Sequence, residues 1–407
     1  TTDGTGTGVT SINGGGGPIG TSGGNGSIGN ILGLKESNLD HVPANDRLVA
    51  NRIENPDPIR PNVTHNHSEL RLSNTSSSVM TITASLDNPA WTFKSGGGTF
   101  TLAPGATHDV DLNFVGTATG SIILKVFNGN LKITANGKTD TVKLDGLWQA
   151  FSEKLPSGKY DEPSLATLVN SIFGYKTVIV APGQTTNHKG QPGTVGDEVA
   201  SAYWNAADSS KSVNVRMIAA THRQNNFDPV THLPLPANSE ISWFVMGSST
   251  SKKFLFKHNI DEGQSLLQHI DGSTTAVAEK TFSPGSQTFG FEVDKHFTDR
   301  TLNALDFDPK TGMTFPGSGY SWRFFPLKDE NGNLVPHTYI AAMDYTANQF
   351  SNWDYNDNVY LITNIKPASS SSASVAMAQA TPLASLFSDG SGDRTTSIET
   401  NDLPGNV

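Results

Sequence analysis

The sequence predicts an all-β protein: an Ig-like sandwich followed by a larger jelly-roll-like β-sandwich, with one short connector helix between them and low-complexity arms at both ends. Three observations predict this. Of 407 residues, 40 are Gly, 22 are Pro and only 16% are charged, a balance that suits turn-rich strands and not long helices. Apolar and polar residues alternate in short runs separated by Gly, Pro and Asn. One stretch carries a helical spacing, through Leu165, Leu168, Val169, Ile172 and Phe173.

Taken in order, residues 1–44 read as a Gly-rich arm with too little apolar surface to offset its ordering entropy. Its apolar patch, Ile28, Ile31, Leu32 and Leu34, is expected to anchor on a neighbouring copy of the chain. Residues 45–146 alternate as strands. Met80, Ile82, Ala84 and Leu86 share a face, as do Val110, Leu112 and Phe114, then Ile122, Leu124 and Val126, then Leu131 and Ile133, then Val142 and Leu144. Turns at Pro104-Gly105, Asn128-Gly129 and Asn136-Gly137 divide them, which predicts an Ig-like sandwich of about seven strands.

Residues 147–175 read as a connector. Its helix starts after Asp161-Glu162-Pro163, stops at Gly174, and packs one face on the second sandwich. Residues 176–367 hold strand-like runs at Val178–Val180, Val213–Ile218, Ile241–Val245, Lys253–Phe256, Thr288–Val293, Ser321–Leu327, Thr338–Met343 and Val359–Ile365. Asn331-Gly332-Asn333 is a hairpin turn among them. So many strands predict a jelly-roll-like sandwich. Residues 368–407 form a polar tail with one apolar patch, read as a linker or as a strand donated to a partner.

Two segments carry a family resemblance. Leu70 to Thr83, Phe100-Thr-Leu-Ala-Pro-Gly105 and Val110-Asp-Leu-Asn-Phe114 resemble the Ig-like choice-of-anchor modules of bacterial surface proteins. Those are similar to the Ig-type modules of ciliary and spindle-associated proteins. In that family the module is a spacer without catalytic residues, and the resemblance implies the same here. Asp344, then Asp354-Tyr-Asn-Asp357 before Val359-Tyr-Leu-Ile362, resembles the closing motif of a C-terminal β-domain in secreted bacterial adhesins; Asn358 departs from that pattern.

Composition excludes several function classes. The net charge of −10, with no basic run beyond Lys252-Lys253, argues against a nucleic-acid partner. With no cysteine there are no disulfides, thiol nucleophiles or Cys-based zinc sites. No apolar run approaches the length of a membrane span. The start at Thr1 reads as a processed N-terminus, and low charge with many Gly, Thr and Asn fits a secreted or cell-surface protein. No nucleophile elbow, P-loop or dinucleotide fingerprint occurs, so an enzyme is not expected.

The candidate sites follow from residue type. Asp344, Asp354, Asn356 and Asp357 supply hard oxygen donors of the kind calcium takes, though without EF-hand spacing. The same side chains equally serve as turn caps. Asn25, Asn62, Asn66 and Asn74 head Asn-x-Ser/Thr sequons. His65 and His67 share a strand face and, with His108, make a transition-metal set; a solvent-facing pair is the simpler reading. Trp204, Trp243, Trp322, Trp353, Tyr320 and Tyr355 form either a sugar-stacking platform or core.

The expectation is a structural subunit of an extracellular filament, appendage or surface layer, joined to other copies of itself through its arms and β-edges. A glycan-binding adhesion protein with a calcium-supported loop is the alternative.

Overall fold

The alternating runs do become strands. The structure, a computed structural model, describes residues 29–44, 46–56, 63–152, 162–179, 192–193, 196–222, 226–227, 234–235, 239–305, 312–314, 318–345 and 353–368. All belong to one unit, Thr1–Ala368; a second unit, Ser369–Val407, lies outside the described residues, and the expected tail function lies there with it.

Among the described residues the first sandwich has nine strands: β1 (Leu34–Asn38), β2 (Arg47–Asn55), β3 (His67–Asn74), β4 (Met80–Leu86), β5 (Trp91–Ser95), β6 (Gly98–Leu102), β7 (Thr107–Phe114), β8 (Leu124–Ala135) and β9 (Lys138–Phe151). They form a four-stranded sheet, β1-β3-β7-β5, and a five-stranded sheet, β2-β9-β8-β4-β6. The pair β2–β9 is parallel. Leu70, Leu72, Val110 and Leu112 from one sheet meet Ile82, Leu131, Ile133 and Val142 from the other in one apolar core.

Both expected boundaries shift. The sandwich begins inside the expected arm, because Ile31 and Leu34 are buried in its core and the Asn30 and Ile31 amides donate to the Asp140 carboxylate over 2.8 and 3.3 Å. It ends at Phe151 and not at 146, because β9 continues through the expected connector. Every residue from Leu144 to Ala150 is buried: Trp148 faces the first core, while Leu147 faces the second sandwich. Burial on both faces removes the alternation that marks a strand.

The helical spacing yields a short π-helix, Thr167–Ile172. The Ser164 hydroxyl accepts from the Thr167 amide (3.1 Å) at the start of the helix; of the expected acidic pair, Asp161 lies outside the described residues. Phe173 N donates five residues back to Leu168 O, 3.0 Å. Leu165, Leu168, Val169, Ile172 and Phe173 are all buried, as their spacing predicts. They join a core shared with Val49 and Leu147 of the first sandwich and Phe325, Ile340, Val359 and Leu361 of the second, so the helix serves both sandwiches and not one. Gly174 ends it at φ +73°, and a Cβ there would lie 2.2 Å from Arg47 Nη2.

The second sandwich contains β10 (Trp204–Ala206), β11 (Val213–Thr221), β12 (Asn226–Phe227), β13 (Pro234–Leu235), β14 (Glu240–Val245), β15 (Lys253–Lys257), β16 (Gln264–Leu266), β17 (Glu279–Phe282), β18 (Phe289–Val293), β19 (His296–Phe297), β20 (Trp322–Lys328), β21 (Leu334–Met343), β22 (Asn358–Thr363) and β23 (Ile365–Pro367). One sheet runs β15-β14-β18-β10-β23 with β19 beside β18; the other runs β16-β11-β22-β21-β20 with β17 beside β11. β12 and β13 pair separately.

Trp204, Val215, Met217, Phe289, Phe291, Trp322, Phe324, Tyr360 and Ile362 fill the core between these sheets. The sheet of β11, β20, β21 and β22 is also covered on its outer face by the helix and the first sandwich, which is why Val359-Tyr-Leu-Ile362 is apolar throughout. Asn364, at φ +62°, turns the chain from one sheet into the other. Its amide donates to Asp208 O (3.0 Å), Lys211 O (3.1 Å) and Ser212 O (3.2 Å).

The expected Val178–Val180 run is not a strand as far as it is described. Lys176 N donates to Lys328 O (3.1 Å) and Lys328 N to Thr177 Oγ1 (2.8 Å), so this segment lies along the end of β20; Val180 is outside the described residues. Among the described residues no helix is long and apolar enough to cross a membrane.

Candidate functional site

The loop before β22 gathers the residues expected to hold calcium. Trp353 (φ +63°) and Tyr355 (φ +56°) are left-handed without being glycine, each at about 1–3 kcal/mol of strain. The surroundings hold them there. Tyr355 is buried, its N–H donates to Asp344 Oδ2 (3.3 Å), and its hydroxyl donates to Tyr320 O (2.5 Å). Arg323 lies 4.8 Å from the Tyr355 ring centroid and bonds Glu198 at 2.9 Å. Asn356 Nδ2 donates to Pro163 O (2.9 Å), and Asn356 O accepts from Thr221 Oγ1 (2.7 Å). Asp357 Oδ2 accepts from the Tyr345 amide (2.8 Å).

Burial pushes Asp354 up to about 6, against hydrogen bonds from the Asn356 amide and Glu162. The four side chains thus reach four different partners, and among the described residues no three His, Cys, Asp or Glu side chains gather into a metal-holding group. The arrangement is a clasp. It ties the last strands to the start of the helix.

A second polar cluster joins the sandwiches. Arg47 on β2 bonds Asp145 on β9 and reaches Glu330, in the β20–β21 turn, at 2.7 Å. Lys143 Nζ meets the other Glu330 oxygen at 2.5 Å. Burial opposes ionisation of Glu330, but Arg47 and Lys143 outweigh it and hold the carboxyl below its ordinary range. Above the cluster opens a cleft of about 790 Å³, lined by Asn88, Asn128, Asn130, Asn170, Asn331 and Lys176 together with the ion pairs. Among the described residues no aromatic side chain lines it.

The aromatic platform is corrected by the structure. Trp204, Trp243, Trp322, Trp353 and Tyr355 are buried, so they are core and not a sugar-stacking surface. The His65/His67/His108 set does not assemble either. His67 Nε2 lies 3.3 Å from Lys94 Nζ, while His108 stacks on Phe100 with centroids 3.8 Å apart.

Of the arm residues, Ile31 and Leu34 pack into their own sandwich, which corrects their assignment to a neighbour; Leu32 stays 92% exposed, and Ile28 is outside the described residues. Of the sequons, Asn25 and Asn62 are outside the described residues and Asn66 is exposed. Asn74 is corrected: it is 1% exposed and its amide donates to Ser78 O (2.8 Å) and Leu102 O (2.9 Å), which leaves no room for a glycan.

Sequence reasoning missed one cluster. His222 follows β11, His258 follows β15 and Ser239 precedes β14, and all three are buried. His222 Nε2 lies 3.2 Å from His258 Nε2 and 3.1 Å from Ser239 Oγ. Ser239 Oγ is 3.1 Å from Tyr345 Oη, which donates to Asp294 Oδ2 at 2.8 Å. Burial lowers His258 to about 4. This is not a nucleophile–base–carboxylate relay, because one His222 nitrogen serves both neighbours and Asp294 bonds Tyr345 and the Ser239 amide. No sequence signal marks it, since the partners are 17 and 36 positions apart.

No protein-family model matches the chain, and no curated protein matches it. Among solved structures, it is similar to the YadV chaperone at 11% identity, over 75% of this chain and 97% of that one, with a TM-score of 0.23. It is similar to the periplasmic chaperone SfaE at 9% identity, over 29% of this chain and 57% of that one, at 0.19. The ASH/PapD-like domain of human CEP192 matches at 10% identity, over 30% and 87%, at 0.20. The chain thus spans little more than half of SfaE. Likenesses this distant carry no functional argument.

Proposed function

We propose that this chain is a structural, non-catalytic extracellular protein: a two-sandwich building block that joins other copies of itself into a filament, appendage or surface layer through its sheet edges. The observation that supports this best is β6. It is the edge strand of the five-stranded sheet, pairs only with β4, and reads Gly-Thr-Phe-Thr-Leu. It carries no charge, proline or bulge, the devices that ordinarily keep an edge from pairing with another chain. The edge strand β15 of the second sandwich, by contrast, has a register shift against β14 and a Lys at each end.

Thr99 and Thr101 on β6 are exposed, so charges there leave the core untouched. Sedimentation and electron microscopy of the full chain test the reading. Wild type is expected to form ordered assemblies, and T99K/T101K to remain folded and monomeric, with only the small Tm loss that removing the exposed Thr83–Thr99 hydroxyl bond brings. A wild-type chain that stays monomeric at high concentration, or assemblies unaffected by the two lysines, would overturn it.

A further inference from the structure

We propose that His222 and His258, with the Ser239 hydroxyl, form a binding site for a divalent transition-metal ion of the zinc class. The two Nε2 atoms are 3.2 Å apart. Two imidazole nitrogens bound to zinc at about 2.0–2.1 Å in tetrahedral geometry stand about 3.3 Å apart, so the rings already hold the spacing of two ligands. The His258 Nδ1–H donates to Asn259 O at 2.8 Å. That bond fixes the tautomer and turns the Nε2 lone pair towards His222, as the outer-shell partner of a ligating histidine does.

The surroundings suit a cation. The Asp294 carboxylate is held one step behind Ser239 and accepts from its amide (2.7 Å) and from Tyr345 Oη (2.8 Å). Asp294 and Asp271 both act on His258 as anions, against Lys257 alone. Ser239 (φ +41°) and Asp294 (φ +48°) are both left-handed without being glycine, and such strain concentrates where side chains are held for a purpose. An ion at the point between the rings would have the two imidazoles and, beside His222, the Ser239 oxygen as protein ligands. Binding requires His222 to carry its proton on Nδ1; both rings stay neutral and no net proton is released. The rival reading is an N–H···N hydrogen bond between the rings.

The test uses the full chain, stripped with a chelator and titrated with Co²⁺ and then Zn²⁺. The expected result is one Co²⁺ per chain with the visible absorption of a tetrahedral ion, displaced by Zn²⁺, and absent from H222Q and H258Q. Zn²⁺ should raise the Tm of wild type and not that of either variant. Nitrogen-15 spectra of the wild-type histidines provide a readout that needs no variant: Zn²⁺ should move the Nε2 signals of two buried rings. The proposal is overturned if those two signals stay fixed and no Co²⁺ spectrum develops, which leaves a hydrogen bond only, or if both variants bind as wild type does, which places the metal on other histidines.

Discussion

The side-chain amide of Asn356 donates to the main-chain carbonyl of Pro163 across 193 positions of sequence. Pro163 leads into the helix and Asn356 leads into β22, so one bond ties the connector to the closing strands. Asn356 is fully buried. Replacing it by Ala leaves a buried carbonyl without its donor, which costs about 1–3 kcal/mol. N356A should therefore lower the urea midpoint with an unchanged slope. A midpoint equal to wild type would remove the clasp from the account of stability.

Asp354 makes the clasp sensitive to pH. Its carboxyl is buried and raised to about 6 in the folded protein, against about 3.9 in an unfolded chain. A raised value means the folded state favours the protonated form. The stability from that proton is complete below about pH 3.9 and is lost as pH rises through about 6, on the order of 1–3 kcal/mol. D354N should flatten the fall in Tm between about pH 4 and pH 6. An identical pH profile in the variant would show that Asp354 is not the group responsible.

Glu36 on β1 should behave in the same sense at higher pH. Burial and the neighbouring Asp140 raise it to about 8. Its proton stabilises β1 below the ordinary glutamate range, and that contribution disappears as pH rises through about 8. Hydrogen exchange of the β1 amides should accelerate across that window beyond the intrinsic pH effect, and E36Q should remove the excess. Equal exchange in E36Q and wild type would refute it.

How much of this was legible depends on which faces of a strand meet solvent. β4 and β7 were readable because Met80, Ile82 and Ala84, or Val110, Leu112 and Phe114, are buried while their neighbours are less so. β9 beyond Leu144 was not, since the second sandwich covers its outer face. Ile31 and Leu34 sit among glycines in sequence and so resemble an arm, although Asp140, more than 100 positions away, holds the start of that segment. The Asp354–Asp357 cluster was found by composition, but its partners Pro163 and Thr221 are set by topology alone. The His222–His258 pair left no trace, because pairing two loop ends is a property of the sheets.

Gly174 carries two requirements at once. Its φ of +73° disfavours any side chain, and a Cβ would meet the Arg47 guanidinium at 2.2 Å. G174A combines about 1–2 kcal/mol of left-handed strain with displacement of Arg47 from Glu330. The expected loss exceeds that of a typical exposed Gly-to-Ala change and should shrink in the R47A background, where the clash is gone. Additive losses in the double variant would separate the two effects and refute the steric part.

Glu330 decides whether the two sandwiches unfold together. It joins the Arg47–Asp145 pair from the second sandwich, so its removal leaves Arg47 with Asp145 and takes from Lys143 the carboxylate it bonds. Glu330 is only partly buried and Arg47 keeps Asp145 as partner, so the loss should stay below the cost of about 3–5 kcal/mol for breaking a fully buried pair. The helix core still joins the sandwiches in E330A, but the polar half of the seam is gone. Calorimetry should show one cooperative transition for wild type and a broadened or split one for E330A, with the β9 amides of Leu147 to Phe151 exchanging first. A single sharp transition in E330A, shifted by less than the seam's share, would mean that the apolar core around Leu168 and Ile172 couples the sandwiches without help from the ion pairs.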